Sequence, residues 1–403
     1  MMHHHHHHHP LTSSNSTHST QLNPNSSPIH SPYATTTAAS VRVSLVVSSA
    51  SPNSPSPLNR KNSNPASSLC QIGGVPENIH PAVSQLSLLY SKHRIVGGNA
   101  RCLALLRVFK KVIQDYFPPA GVSISRHLDA TLKPQIAWLV KSRPLSISMA
   151  HAIRHLKWQI AHLPLIDHSV PESDSLSIVK TYLCQAIDSY LRERIELADE
   201  LIVSLGINRI DGESLMVFSH SDVILDLLVA GAQRGKKFSL VVVDAGPLYE
   251  GQFVLKYLQQ RLGVPLSEII PTSYVPLSAI GHAFRIGSVT RVLLGAHCIY
   301  SNGNVQTRAG SSMIALMAHQ ANVPVIVCCE TYKFSDKVQL ATTLTHGIDD
   351  GSSKRSNFAN LRISHSLHDI IPSKFVSMII TEMGMIPCTS VPVVIREYRP
   401  FPI

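Results

Sequence analysis

From residue 214 onward, short apolar runs alternate with amphipathic helical stretches, and this alternation limits the possible fold more than any other feature. Strands that alternate with helices form a parallel sheet covered on both faces, and such buried strands have continuously apolar sequences. The sequence therefore predicts a Rossmann-like parallel-sheet α/β domain over residues 207–403. The predicted strands are SLMVFS at 214–219, FSLVVVD at 238–244, EIIPTS at 268–273, VTRVLLGA at 289–296 and PVIVCC at 324–329.

Residues 78–206 have the hydrophobic period of helices and are predicted to form an N-terminal helical domain. Within them, residues 97–117 begin with two glycines and Asn99, which we predict to be the N-cap of an amphipathic helix. Capping is favoured there over anion binding. The predicted apolar face of this helix contains Leu103, Leu106, Phe109 and Ile113.

A second long helix is predicted over residues 174–205, closed by Gly206. Its apolar stripe contains Val179, Leu183, Ile187, Tyr190, Leu197 and Leu201.

Residues 1–77 differ in composition from everything that follows. The run of seven histidines near the start indicates a purification tag, with a native metal-binding tract as the alternative. Residues 10–69 are dominated by Ser, Pro, Asn and Thr, and the first carboxylate of the chain is Glu77. Such a composition buries too little apolar surface to offset the entropy of ordering, so a disordered tail is predicted. The apolar segment 41–47 is predicted to be coil.

Composition excludes several classes of protein. The seven cysteines form no CxxC pair, which argues against a zinc ribbon or a disulfide framework and fits a reducing cytoplasm. No apolar run is long enough to span a bilayer, so neither membrane insertion nor secretion is expected. The formal net charge is +10, but the basic residues are scattered, which favours solvated helix faces over a nucleic-acid site. No metal and no cofactor are predicted.

Polar residues follow several predicted strands, where the ligand crevice of such a sheet lies. The set contains Ser221, His220, Asp222, Asp244, His297 and Arg308. A Ser/His/Asp hydrolase triad is one interpretation, but Ser221 is not in a G-x-S-x-G motif, and chance occurrence is favoured. No GxGxxG or P-loop motif follows any strand, so nucleotide binding is not supported. A structural role for His297 is likewise favoured over general-base catalysis.

Six segments together carry a resemblance to a known family. They are GGNARC, LKPQIAWLVKSRPLSISMAHAI, VVVDAGPLYEG, LLGAHCIYSNGNVQTRAGSSMIAL, VPVIVCCETYKF and ITEMGMIPCTSVPVVIREY. In their order they resemble the delta-subunit family of eukaryotic translation initiation factor 2B, one of its alpha, beta and delta regulatory subunit families. These families are similar to ribose-bisphosphate and methylthioribose-phosphate isomerases. The resemblance implies a helical N-terminal domain and a Rossmann-like C-terminal domain.

The same resemblance implies that the cleft is a vestigial isomerase site. Ser221 stands where the isomerases have a catalytic cysteine, and His297 where they have a catalytic aspartate. A hydroxyl is a much weaker acid than a thiol, and a neutral imidazole does not supply a carboxylate charge. The residues expected in this vestigial cleft are Ser221, Asp244, His297, Asn302, Gly303 and Arg308. No catalytic residue is predicted.

The function implied by the resemblance is that of a non-catalytic regulatory subunit in the guanine-nucleotide exchange factor for initiation factor 2. Its implied partners are the alpha, beta, gamma and epsilon subunits of factor 2B, and initiation factor 2 with its phosphorylated alpha subunit. The positions matching the binding groove for that phosphorylated subunit are Arg126, Glu193 and Leu197. Without the resemblance, Arg126 and Glu193 would be read as a solvated helix face, and Leu197 as a core residue.

The segments CCETYKF and EMGMIPCTSVPVVIREY are predicted to contact partner subunits, with completion of this chain's own core as an equally weighted alternative. The residues predicted at this interface are Glu330, Tyr332, Lys333 and Phe334. Two other classes stay open at this stage. One is a sugar-phosphate isomerase-like enzyme or binding protein with altered catalytic residues, and the other, supported by net charge alone, is a nucleic-acid-binding protein.

Overall fold

The computed structural model describes residues 76–163, 172–286, 288–339 and 366–397. All of them belong to one compact unit, Ser68–Ile403. The predicted tag, tail and coil segment lie outside the described residues, apart from Pro76 and Glu77. No helix in the described part of the chain is long and apolar enough to cross a membrane.

The first half of this unit is helical, as predicted. Its helices are α1 (Pro81–Ser91), α2 (Gly98–Gln114), α3 (Ile124–Ser142), α4 (Ile147–Ala161), α5 (Glu172–Leu191) and α6 (Leu197–Gly206), with a π-turn (Arg192–Glu196) between the last two. They enclose one apolar core that contains Leu105, Phe109, Leu128 and Leu183. We call residues 78–206 the helical half and the rest the α/β half; a domain boundary at residue 206 stays a prediction.

Asn99 is not the N-cap of α2, contrary to prediction. Gly97 occupies that position without a side-chain capping bond, and Asn99 lies in the first turn with only 6% of its surface exposed. Its side chain is held by residues from the other half of the chain, described below. The contacts of Asn99 with the other half of the chain therefore outweigh its local preference for the N-cap position.

The π-turn explains why the predicted stripe of the long helix is wrong beyond Tyr190. A π-turn holds one residue more than the α-helical period, so the buried face moves forward by one position. Within the π-turn Ile195 is buried, and after it Ala198 and Ile202 are buried, whereas Leu197 and Leu201 are 39% and 50% exposed.

The α/β half is built on a seven-stranded sheet of order β11-β10-β7-β4-β1-β2-β3, in which only β10 and β11 pair antiparallel. Its strands are β1 (Ser214–Phe218), β2 (Ser239–Asp244), β3 (Thr272–Pro276), β4 (Arg291–Gly295), β7 (Val325–Cys328), β10 (Met378–Thr381) and β11 (Gly384–Ile386). The helices are α7 (Asp222–Gln233), α8 (Glu250–Leu262), α9 (Leu266–Ile269), α10 (Ile280–Arg285), α11 (Ser311–Gln320) and α12 (Val391–Glu397).

Side chains of β1 show that both faces of the sheet are covered. Met216 and Phe218 pack into a core with α10, α11 and α12, while Leu215 and Val217 pack into a second core with α6, α7 and α8. The predicted Rossmann-like α/β class is confirmed. The third predicted strand is shifted, because Leu266–Ile269 forms a short helix and the strand begins only at Thr272, after Pro271.

A second, four-stranded sheet lies beyond the edge of the first and was not predicted. Its order is β8-β5-β6-β9, and the strands are β5 (Cys298–Tyr300), β6 (Val305–Arg308), β8 (Phe334–Ser335) and β9 (His368–Ile371). These strands are only two to four residues long, too short for a periodicity signal.

The six cysteines in the described residues carry free thiols, and Cys70 lies outside them.

Candidate functional site

A cleft of about 580 Å³ opens at the carboxyl edge of the seven-stranded sheet. The ends of β1, β4 and β6 line one side, and the N-terminus of α2 lines the other. Parallel strands place their carboxyl ends at one edge, so this is where the sequence predicted a crevice. The lining side chains used below are Asn99, Ser221, His297, Arg308, Lys333 and His368.

Ser221 lies at the entrance to α7, directly after β1. It occupies the N-cap position with extended backbone (φ −142°, ψ 116°), yet its hydroxyl makes no capping bond. Gly295, at the end of β4, faces it so closely that a Cβ on Gly295 would lie 2.4 Å from the Ser221 Oγ. The close approach of the β4 backbone at Gly295 therefore limits the depth of the cleft beside Ser221.

His297 stacks against His368 of β9, with ring centroids 4.3 Å apart and ring planes inclined by 30°. Its backbone N–H donates to the carbonyl of Gln306 at 2.8 Å. Burial, the neighbouring imidazole and nearby cations lower the pKa of His297. Burial and the charge of Arg308 lower the pKa of His368 to about 3. Both rings are consequently neutral near pH 7.

Arg308, at the end of β6, forms a two-pronged ion pair with Glu250. Its Nε and Nη2 donate to the two carboxylate oxygens of Glu250 at 2.9 and 2.5 Å. Only 13% of the Arg308 side chain and 16% of the Glu250 side chain are exposed. The guanidinium that the sequence assigned to the cleft is thus already held by a carboxylate of the same chain.

Asp244 lies in a neighbouring hollow of about 420 Å³ that shares Arg308 with the main cleft. One carboxylate oxygen accepts bonds from the backbone N–H groups of Ala245 and Gly251, both at 2.9 Å. The other accepts from the Tyr274 hydroxyl at 2.5 Å. These bonds fasten the start of α8 to the end of β2, and they leave Asp244 turned toward its own backbone.

The structure does not bring Asn302 and Gly303 to the cleft. They form the turn between β5 and β6, where Asn302 Nδ2 donates to the carbonyl of Gln339 at 3.1 Å. Gly303 has φ +79°, and a Cβ there would meet Cys388 at 2.9 Å. Their place at this turn follows from the short β5–β6 hairpin, which carries Arg308 to the cleft but leaves its own tip at the opposite end.

Three imidazoles and one carboxylate line the cleft. Asp222 is the carboxylate among the lining residues, and it pairs with His220 at 3.3 Å. The imidazoles of His297 and His368 are weak bases here because their pKa values are lowered. Within the described residues, no three His, Cys, Asp or Glu side chains are placed to hold a metal ion.

The residues predicted at a subunit interface lie inside the chain instead. Glu330 Oε1 accepts from Asn99 Nδ2, and the Tyr332 hydroxyl donates to Asn99 Oδ1, both at 2.5 Å. The Lys333 ammonium lies 2.6 Å from Glu330 Oε2. These side chains, between 0 and 7% exposed, fasten α2 to the end of β7. We call Asn99, Glu330, Tyr332 and Lys333 the junction cluster.

Charges within the junction cluster are balanced internally. Burial opposes ionisation of Glu330, but Lys333 and hydrogen bonds outweigh it and hold the pKa of Glu330 below its ordinary value. Burial raises the pKa of Asp199, on α6, to about 10, and the adjacent Glu330 carboxylate adds to this effect. Both effects favour the protonated form of Asp199. Phe334 is also buried, at 4% exposure, in the core beneath the sheet. Burial of Glu330, Tyr332, Lys333 and Phe334 favours the alternative interpretation, completion of this chain's own core.

Arg126, Glu193 and Leu197 are all exposed, on two parts of the helical half. Arg126 begins α3 beside the end of α4, where Ser125 Oγ donates to the Ile160 carbonyl at 2.7 Å. The Tyr182 hydroxyl reaches Gln159 at this level of the bundle, also at 2.7 Å. Glu193 lies eleven residues beyond Tyr182 in the chain, which is about 16 Å along the helix axis at about 1.5 Å per residue.

Sequence reasoning missed Glu250 and His368, which complete the cleft. Glu250 had a detectable signal, because it follows β2 within the segment DAGPLYEG that the resemblance had already singled out. His368 had none, since β9 lies sixty residues beyond β6 (368 minus 308) and reaches the cleft only through the second sheet.

Comparisons with known proteins agree with this architecture. A family model described as the initiation factor 2 subunit family matches residues 94–388. The translation initiation factor eIF2B subunit delta of Schizosaccharomyces pombe is 38% identical over 343 residues, covering 81% of this chain and 70% of that protein. The subunit delta of Dictyostelium discoideum is 35% identical over 80% of this chain, which spans about half of that relative's length (52%).

Two further likenesses bear on the fold. A chain of the tetrameric eIF2B-beta2-delta2 complex from C. thermophilum superposes with a TM-score of 0.65 at 26% identity, covering 77% of this chain and 98% of that one. Ribose 1,5-bisphosphate isomerase of Haloferax volcanii is 24% identical over 80% of this chain and 94% of the enzyme.

A helical half followed by a Rossmann-like sheet is the fold that this chain shares with solved subunits of eIF2B. The chain belongs to the initiation factor 2 subunit family, and its relatives there include delta subunits of eIF2B. The resemblance stated from the sequence is confirmed.

Proposed function

We propose that this chain is a non-catalytic regulatory subunit of the guanine-nucleotide exchange factor for initiation factor 2. The observation that carries the proposal is the 38% identity to a delta subunit across 81% of the chain. Its partners would be the alpha, beta, gamma and epsilon subunits of factor 2B, in the cytoplasm, without direct contact to nucleic acid or membrane. Initiation factor 2 would be bound through the assembled complex.

The chemistry of the cleft supports a role without catalysis. The resemblance implies that Ser221 and His297 stand where the isomerases have a thiol and a carboxylate; the pKa of His297 is lowered, and Arg308 is held by Glu250. The rival interpretation, a sugar-phosphate isomerase-like enzyme, requires turnover of ribose 1,5-bisphosphate by the purified chain. We expect none, and measurable turnover would favour the enzyme.

An exposed aromatic patch supports assembly with other subunits through the α/β half. Leu248, Tyr249, Phe253 and Tyr274 are 37, 54, 45 and 44% exposed at the carboxyl ends of β2 and β3. Aromatic residues are enriched at protein interfaces, and edge strand β3 leaves this patch uncovered within the described chain. A beta subunit is the proposed occupant, because a delta relative is found in a beta2-delta2 tetramer.

The proposed regulatory input is the phosphorylated alpha subunit of factor 2, bound along the helical half. Arg126, Glu193 and Leu197 are exposed over a length that suits a protein surface rather than a small molecule. A phosphorylated residue carries nearly two negative charges, which an exposed arginine would stabilise. Inhibition then requires that the phosphorylated partner bind one conformation of the complex more tightly than another.

The test is nucleotide release from factor 2 by the reconstituted exchange factor containing Glu193→Lys or Leu197→Gln in this chain. We expect ordinary release from unphosphorylated factor 2 and loss of inhibition by its phosphorylated form. Glu268→Lys, an exposed charge reversal in the α/β half, is the matched control and should keep inhibition. Unchanged inhibition in both test variants would remove these positions from the groove, whereas failure of the chain to join the complex would overturn the subunit assignment itself.

A further inference from the structure

Each cation that lines the main cleft is already paired with a carboxylate of this chain. Lys333 lies 2.6 Å from Glu330, and Arg308 donates twice to Glu250. A carboxylate and a phosphate present the same pair of acceptor oxygens to a guanidinium, which binds either in the same two-pronged geometry. Glu250 therefore occupies the place on Arg308 that two phosphate oxygens would take.

The position of Glu250 in the chain strengthens this likeness to a bound anion. It is the first residue of α8, whose N-cap residue Tyr249 is left-handed (φ 48°) and makes no side-chain capping bond. The N-terminus of a helix carries a partial positive charge that favours anions. The Glu250 carboxylate thus lies between a guanidinium and a helix N-terminus.

We propose that Glu250 is an internal anion that determines the specificity of the cleft by excluding phosphate ligands from Arg308. The carboxylate belongs to the chain, so it occupies the subsite at an effective concentration that a dissolved phosphate does not reach. The inference goes beyond the proposed function and does not depend on it, because the exclusion would act in any complex that contains this chain.

The surroundings of Arg308 show why removal of one charge should open the subsite. Its third nitrogen, Nη1, is buried without a partner in the described structure. Arg101 and Arg143 lie near enough, with Arg308, to help lower the pKa of His368, so the local potential is positive. Without the Glu250 charge, Arg308 would have no carboxylate partner, and the positive potential around it would not be offset at that contact.

The experiment compares binding of inorganic phosphate to the full chain and to Glu250→Gln by isothermal titration calorimetry. The substitution keeps the size of the side chain and removes its charge. We expect phosphate to bind Glu250→Gln roughly tenfold or more tightly than the unaltered chain, about the value of one charge-assisted hydrogen bond. The double variant Glu250→Gln/Arg308→Gln should lose this gain, and Glu268→Gln should behave like the unaltered chain.

Equal phosphate affinity of the unaltered chain and Glu250→Gln would overturn the proposal, as would a gain that persists in the double variant. Circular dichroism checks the fold of each variant. If Glu250→Gln does not fold, Glu250→Asp replaces it: the shorter side chain keeps the charge but withdraws it from one guanidinium nitrogen. A smaller gain is then expected, and no gain counts against the proposal. Nucleotide exchange is not measured here, so a negative result leaves the proposed function untouched.

Discussion

The junction cluster and the outer face of α6 differ in a way that explains what a distinctive motif encodes. The junction cluster is almost fully buried, and its side chains are paired with one another across the two halves. The outer face, which we define as Leu197 and Leu201 of α6 with Glu193 of the preceding π-turn, is exposed. The unusual residues CCETYKF therefore hold the chain together, whereas the surface proposed to bind a partner carries no unusual sequence at all.

The π-turn determines which residues after it are buried and which are exposed on the long helix. Two deletions test this role most strongly. Deleting Thr181, an exposed residue of α5, should turn Leu183, Ile187 and Tyr190 away from the core and cost more than about 5 kcal/mol. Deleting Arg192, inside the π-turn, should cost less than about 2 kcal/mol, because an α-helical turn then carries the same buried residues. Urea unfolding measures both, and equal losses would show that the turn does not absorb an extra residue.

Glu330→Gln tests whether the junction cluster is as interdependent as its contacts indicate. The variant leaves the buried Lys333 ammonium without its carboxylate, so we expect a loss of about 3–5 kcal/mol in the free energy of unfolding. Glu330→Gln/Lys333→Met removes both charges and should recover most of that loss. If the single variant loses less than about 1 kcal/mol, water reaches the pair and the cluster is not a sealed contact.

A pair of alanine substitutions compares the two faces of the long helix directly. Leu183→Ala removes a fully buried side chain and should cost about 2–5 kcal/mol. Leu197→Ala removes a side chain that is 39% exposed and should cost less than about 1 kcal/mol. Thermal unfolding measures the stability lost by each variant. A loss for Leu197→Ala as large as that for Leu183→Ala would place Leu197 in the core.

The smallest expected effect is a dependence of stability on pH, caused by the stacked histidines His297 and His368. Burial holds the pKa of His368 at about 3 in the folded chain, below its ordinary 6.5. The folded state therefore binds fewer protons, and the stabilisation present above pH 6.5 is lost as the pH falls toward 3. His368→Gln should reduce the slope between about pH 6 and 4 by about 1 kcal/mol per pH unit. Urea-derived stability, measured for both chains across this pH range, gives the two slopes, and equal slopes would contradict the prediction.

Much of the fold could be predicted because its signals are local and repeated. The apolar runs around Val217, Val242 and Leu293 are buried strands at the predicted places, and the crevice lies beyond their carboxyl ends. The second sheet could not be predicted, since its short strands pair only after the main sheet has brought them together.

The candidate site was predicted less completely, for a different physical reason. The sequence shows which residues follow a strand, but not what each side chain bonds to. Arg308 was assigned correctly to the edge of the sheet, while its partner Glu250 depends on how α8 approaches β6. Glu330 and Lys333 also follow a strand, yet their charges are neutralised inside the chain rather than offered to a partner.

The extra residue held by Arg192–Glu196 has a consequence for comparisons between relatives. Where a relative lacks that residue, an alignment without a gap would pair outward side chains of one protein with inward side chains of the other throughout α6. Roles assigned by position number would then be displaced by one on the C-terminal side of the turn. The buried Ile202 gives the correct correspondence, because packing against the sheet, rather than residue count, sets the rotation of that helix.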